Sequence, residues 1–131
     1  SIQGYSKFGK YFGNGSGTED GTFDGAFIYT GFKPAWVMCK RTSYSAGDGW
    51  TIWDNKRPRA NSTLNDINNK LGADSTAAES GDVYDTVDFL SNGFKIRTGR
   101  GGTNAAGSRY TYMAFAENPF VTSTGTPTTA R

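Results

Sequence analysis

Two short segments of this chain, residues 35–39 and 109–117, carry apolar residues on both faces of a strand instead of on one. Side chains of a strand point alternately to opposite faces. A strand without polar alternation therefore belongs where both of its faces are covered. These two segments are expected to be central strands of a sheet, and adjacency is one arrangement open to them. Cys39, the only cysteine, falls in the first of them. It is read as a small buried hydrophobe in a wall, since a nucleophilic thiol needs exposure and a partner that stabilises the thiolate.

The remaining segments alternate with a period of two and are parted by glycine-rich turns. Further strands are expected over residues 5–12, 23–30, 50–56, 85–90 and 94–98, and the apolar run of 35–39 extends as a strand to 41. In the first, Phe8 and Phe12 alternate around Lys7 and Gly9. In the second, Phe27 and Tyr29 oppose Ala26 and Ile28. In the fourth along the chain, Trp50 and Ile52 point one way and Trp53 the other. Asn92-Gly93 between two alternating segments signals a hairpin, because both residues tolerate the positive φ that a primed turn requires. The 18 glycines and an aromatic content of 15% fit short strands and turns, not a helical bundle. The fold class is therefore all-β: an antiparallel sandwich of the jelly-roll or lectin-like kind.

Residues 57–81 interrupt this rhythm. Leu64, Ile67 and Leu71 are their only large apolar residues, at spacings of 3 and 4. That spacing fits one short helix over residues 62–71, capped by Ser62 or Asn61 and ended by Gly72. An irregular excursion that tucks the three over the core edge satisfies the same pattern. Residues 1–118 are expected to form one sandwich domain and 119–131 an extended arm, anchored only by Phe120 and Val121.

Several chemistries lack their residues. No histidine is present, so Ser-His-Asp catalysis is excluded and the commonest metal ligand is missing. The net charge is +2 with no basic block, which speaks against nucleic-acid binding. No apolar run is long enough for a membrane span. Glycosidase chemistry needs two opposed carboxylates, but nothing in the spacing singles out a pair among Glu19, Asp20, Asp24, Asp48, Asp54, Glu79 and Glu117. The stretch GNGSG lacks the Lys-Ser/Thr and the helix of a phosphate loop. GTEDG and SAGDG carry oxygen ligands for calcium without an EF-hand spacing. Neither a metal nor a cofactor is expected.

Loops on a rigid sandwich suit recognition better. Tyr44, Asp48 and Trp50 lie on or beside one loop; Arg100, Thr103, Asn104 and Arg109 lie on or beside another. Aromatic faces stack on sugars, while Asn, Asp and Arg bond hydroxyls. The candidate ligand-binding residues are thus Tyr44, Asp48, Trp50, Arg100, Asn104 and Arg109. The alternation of Trp50 with Ile52 equally allows Trp50 a place in the core.

Five stretches in order, GKYFGNGS (9–16), DGAFIYTGFKPAWVMCKRT (24–42), WDNKR (53–57), DFLSNGFKIRT (88–98) and YMAFAENPF (112–120), carry a likeness over most of the chain. Together they resemble a domain of bacteriophage tail and fibre proteins, particularly those of marine and cyanobacterial phages. The resemblance implies a non-enzymatic virion structural module, terminal in a tail fibre or similar exposed appendage. It also implies attachment to a host-surface glycan or receptor, homotrimeric assembly with other virion proteins, and an arm that packs along a neighbouring subunit. A capsid or neck decoration protein and a polysaccharide-degrading enzyme are the alternatives. No catalytic residue is carried over. The matches at 31–36, 92–93 and 115–120 read as fold determinants, and residues 57–81 are the least family-like part.

Overall fold

Alternation along the chain becomes two layers of antiparallel strands. The computed structural model describes residues 1–17, 23–43, 47–57, 66–81 and 86–119. Among the described residues the strands run β1 (Ser6–Phe12), β2 (Phe27–Tyr29), β3 (Pro34–Arg41), β4 (Thr51–Asp54), β5 (Asp66–Ile67), β6 (Asn69–Gly72), β7 (Ser80–Gly81), β8 (Val87–Leu90), β9 (Gly93–Ile96) and β10 (Arg109–Ala116). One helical turn, α1 (Gly101–Asn104), precedes β10. A six-stranded sheet has the order β1-β10-β3-β4-β6-β7, and a four-stranded sheet the order β2-β9-β8-β5. The all-β antiparallel sandwich expected from the alternation is the fold observed.

The core lies between the two sheets. Tyr11, Val37, Cys39, Trp53, Tyr110, Tyr112 and Ala114 face it from the larger sheet. Ile28, Ile67, Val87, Phe89, Phe94 and Ile96 face it from the smaller. Aromatic packing dominates: the Tyr11 and Tyr110 rings stack at 4.9 Å, and Phe94 meets Tyr112 edge-on at 5.4 Å. Cys39 is fully buried, as expected for a wall residue. Burial pushes its thiol up to about 12, against a hydrogen bond with Tyr11 that favours the thiolate.

The two doubly apolar segments are neighbours, β3 and β10, with Cys39 opposite Tyr112 and Met38 opposite Met113. The expectation that both of their faces are covered holds for one face only. Val37, Cys39, Tyr112 and Ala114 enter the core. Trp36, Met38, Met113 and Phe115 point the other way and remain half-buried, with no second layer over them among the described residues. The rings there shield one another: Phe115 packs edge-on with Tyr5 and Phe8 at 5.9 and 6.0 Å and tilts against Trp36 at 5.6 Å.

β1 follows the same division. Tyr11 turns inward, whereas Phe8 and Phe12 are 48% and 59% exposed. Alternation puts Gly9 on the inward side with Tyr11, and the Tyr112 ring lies across it: a Cβ there would stand 2.9 Å from Tyr112 Cε1.

Two expectations change. The hairpin forms, with Ser91 and Asn92 as its loop between β8 and β9. Neither Asn92 nor Gly93 takes a positive φ, so it is not the primed turn expected. Gly93 is required for another reason. It lies opposite Tyr29 on β2, and a Cβ would come within 2.2 Å of the Ile28 carbonyl oxygen. The Asn92 carbonyl also accepts the Thr30 and Gly31 N–H groups, tying the hairpin to the end of β2.

The helix expected over residues 62–71 is replaced, from residue 66 onward, by β5 and β6. Ile67 pairs with Val87 and enters the core from the smaller sheet, while Leu71 pairs with Ile52 in the larger one. The helix-like spacing arises because the chain crosses between sheets at the buried Asn68. Leu64 lies outside the described residues, as does the arm from 120 onward.

Candidate ligand cleft

β4 and the segment after β6 position the site. Alternation sends Trp53 into the core and Trp50, two positions before Ile52, to the outer side at the start of β4. Trp50 is half-buried and lines a cleft of about 530 Å³ together with Lys40, Asp48, Lys70, Asp74, Ser75 and Ser80. The Lys40 Nζ stands 5.8 Å from the Trp50 ring centroid, within cation–π range.

Asp74 holds the cleft together. Its Oδ1 accepts the Trp50 backbone N–H at 2.9 Å, and its Oδ2 lies 3.7 Å from Lys40 Nζ. The bond from Trp50 does most to lower the Asp74 carboxyl below its ordinary range, with Lys40 adding to it. Gly49 leaves room for this carboxylate, since a Cβ there would sit 2.6 Å from Asp74 Oδ1. Two lysines, one aromatic face, two carboxylates, of which Asp74 is fixed against the Trp50 backbone, and the Ser75 and Ser80 hydroxyls thus converge on one concave surface. Such a set can stack on a sugar ring and bond its hydroxyls.

The structure brings together two of the six candidates, Asp48 and Trp50. Trp50 is not a core residue. Asp48 borders the cleft and also pairs with Arg41 at 3.2 Å, and Arg41 in turn donates to Ser108 Oγ at 2.6 Å. Tyr44 lies outside the described residues. Arg100 is exposed beside α1 and Arg109 is exposed at the start of β10; neither lines this cleft.

Asn104 is a correction. It is fully buried, so a ligand cannot reach it. Its Nδ2 contacts Asn14 Oδ1, Ser16 O and Thr98 O at 2.8, 2.9 and 2.8 Å, and its Oδ1 accepts the Asn14 N–H at 3.1 Å. It fastens the loop after β1 to the strand end after β9. Tyrosine hydroxyls secure the same turn, Tyr11 donating to Thr103 O and Tyr110 to Gly101 O, each at 2.6 Å.

Lys40 and Asp74 are the cleft residues that sequence reasoning misses. Alternation puts Lys40 on the side opposite Cys39, but nothing local places Asp74 against Trp50, 24 positions away.

No curated protein and no solved structure matches the chain. Residues 1–119 match the model of a family described as a domain of unknown function (DUF7483), and the chain belongs to that family.

Proposed function

We propose that this domain is a non-enzymatic adhesive module of a bacteriophage virion, terminal in a tail fibre or similar exposed appendage, that attaches to a glycan on the host surface. Three copies would present three such sites. The observation that carries the binding part is the half-buried Trp50 indole on the wall of the cleft, with Lys40 at its ring and Asp74, Ser75 and Ser80 beside it. The five ordered motifs that resemble phage fibre domains support the virion setting.

The carboxylates support binding over hydrolysis. Asp24, Asp48, Asp54, Glu79 and Glu117 are each engaged by a lysine or arginine. Lys33 holds the Glu117 carboxyl below its usual range, the opposite of what a general acid needs.

The test is a glycan array followed by titration of the best ligand. Binding is expected to change tryptophan emission, and Trp50→Ala is expected to abolish binding at an unchanged melting temperature. Release of reducing ends from host polysaccharide would overturn the non-enzymatic reading. Equal glycan binding by the Trp50→Ala protein would remove the cleft from the proposal.

A further inference from the structure

The donors and acceptors around Trp50 are unequally engaged, and that imbalance bears on which glycan the cleft takes. Both carboxylates already have partners within the protein. Asp74 Oδ1 accepts the Trp50 N–H at 2.9 Å, and Asp48 Oδ2 accepts from Arg41 Nη1 at 3.2 Å. Asp48 also borders α1: a Cβ on Gly102 would stand 3.8 Å from its Oδ1. Sugar hydroxyls that seek an acceptor here meet carboxylates already bonded to the chain.

The donors are in the opposite condition. Lys40 Nζ lies 3.7 Å from Asp74 Oδ2, an ion pair too long for a hydrogen bond. Its 5.8 Å from the Trp50 ring centroid is near the outer limit of cation–π contact. The ammonium is thus held near two groups and tightly by neither. Ser75 Oγ accepts the Ala77 N–H at 3.1 Å, which leaves its hydroxyl hydrogen to donate. Ser80 adds a second exposed hydroxyl on the cleft wall.

We infer that the ligand of this cleft is an acidic glycan, whose carboxylate or sulfate group bonds Lys40 while a sugar ring lies on Trp50; the inference rests on the glycan reading above. A sugar stacking on the indole competes with Lys40 for the ring. A neutral sugar offers the displaced ammonium a hydroxyl, whereas an acidic one offers a charged oxygen. Charge-assisted hydrogen bonds are roughly twice as strong as neutral ones. Repulsion from Asp74 and Asp48 is offset, because each already faces a cation, Lys40 and Arg41. Lys40 is therefore the residue that sets specificity for charge, and Trp50 the platform that accepts the ring.

The experiment titrates the full chain with matched oligosaccharides: galacturonate and glucuronate oligomers beside their methyl esters, and sulfated galactans beside their desulfated forms. In at least one pair the anionic member is expected to bind at least tenfold more tightly than its neutral partner. The pair that responds tells carboxylate from sulfate. Raising sodium chloride from about 50 to about 500 mM is expected to weaken that binding several-fold, since salt screens an exposed ionic contact. Lys40→Gln is expected to bring the two members within about twofold of each other. Lys56→Gln removes an exposed cation beyond the far end of β4 and is expected to keep the difference. Should Lys40→Gln fail to fold, the salt dependence carries the test. Neutral members that bind as tightly as their anionic partners, a best array ligand without charge, or a difference indifferent to Lys40→Gln would overturn the acidic assignment and leave the cleft a glycan site. Absence of binding to every glycan on the array overturns the glycan reading itself, and the acidic assignment with it.

Discussion

Replacing Asn104 by alanine separates a structural amide from a ligand-binding one. The side chain is 0% exposed and supplies one donor group to three acceptors and one acceptor to the Asn14 N–H. Two amide hydrogens cannot serve three acceptors fully, so the loss amounts to about two donated bonds and one accepted. Each is worth about 1 kcal/mol net, and more where the partner stays buried and unsatisfied. The expected loss is about 3–5 kcal/mol, against a total of roughly 7–20 kcal/mol for a domain of this length. At this size that lowers the melting temperature by about 11–18 °C. Denaturant unfolding should show a lower midpoint at an unchanged m-value. Arg109→Ala, exposed at the start of β10, is the control and should stay within about 0.5 kcal/mol. An Asn104→Ala protein that melts within 2 °C of the original and only loses ligand would refute the reasoning, and would return Asn104 to the binding surface.

Two further outcomes follow from charge and burial. Cys39, with its thiol pushed up to about 12, should resist alkylation at pH 8 in the native state and react at once in denaturant. Its raised folded value also means that stability is fully present below the ordinary thiol range and declines as pH rises from about 9 toward 12, where the unfolded chain has already lost the proton. The lowered Asp74 carboxyl acts in the opposite direction: its contribution is present above the unfolded carboxylate range and is lost as pH falls through the folded value. Amide exchange at Trp50 should therefore be slower in the original protein than in Asp74→Ala near neutral pH, with the difference closing in acid. Equal exchange at pH 6 would show that Asp74 does not hold the loop.

Much of the scaffold was legible before any coordinates. The period of two located β1, β2, β4, β8 and β9, and the doubly apolar segments proved to be the adjacent central strands β3 and β10. The helix over 62–71 was misread because Ile67 and Leu71 repeat at a helical interval while lying in different sheets. The candidate site was half legible. Trp50 and Asp48 could be found as an aromatic and an acid beside one glycine loop, but an amide such as Asn104 looks the same in sequence whether it faces a ligand or three carbonyl and amide groups.

Alternation, turn residues and the missing histidine are properties of neighbouring positions, and they were enough to establish a β-sandwich without histidine-based chemistry. Which groups meet across the chain is another matter: Asp74 reaches Trp50 over 24 positions and Asn104 reaches Asn14 over 90, through contacts that no local period encodes. The same holds for the outward side of β3 and β10. A run of apolar residues records that a strand is greasy on both sides, but only stacking the layers reveals that one side is closed by the second sheet while the other has no second layer over it among the described residues.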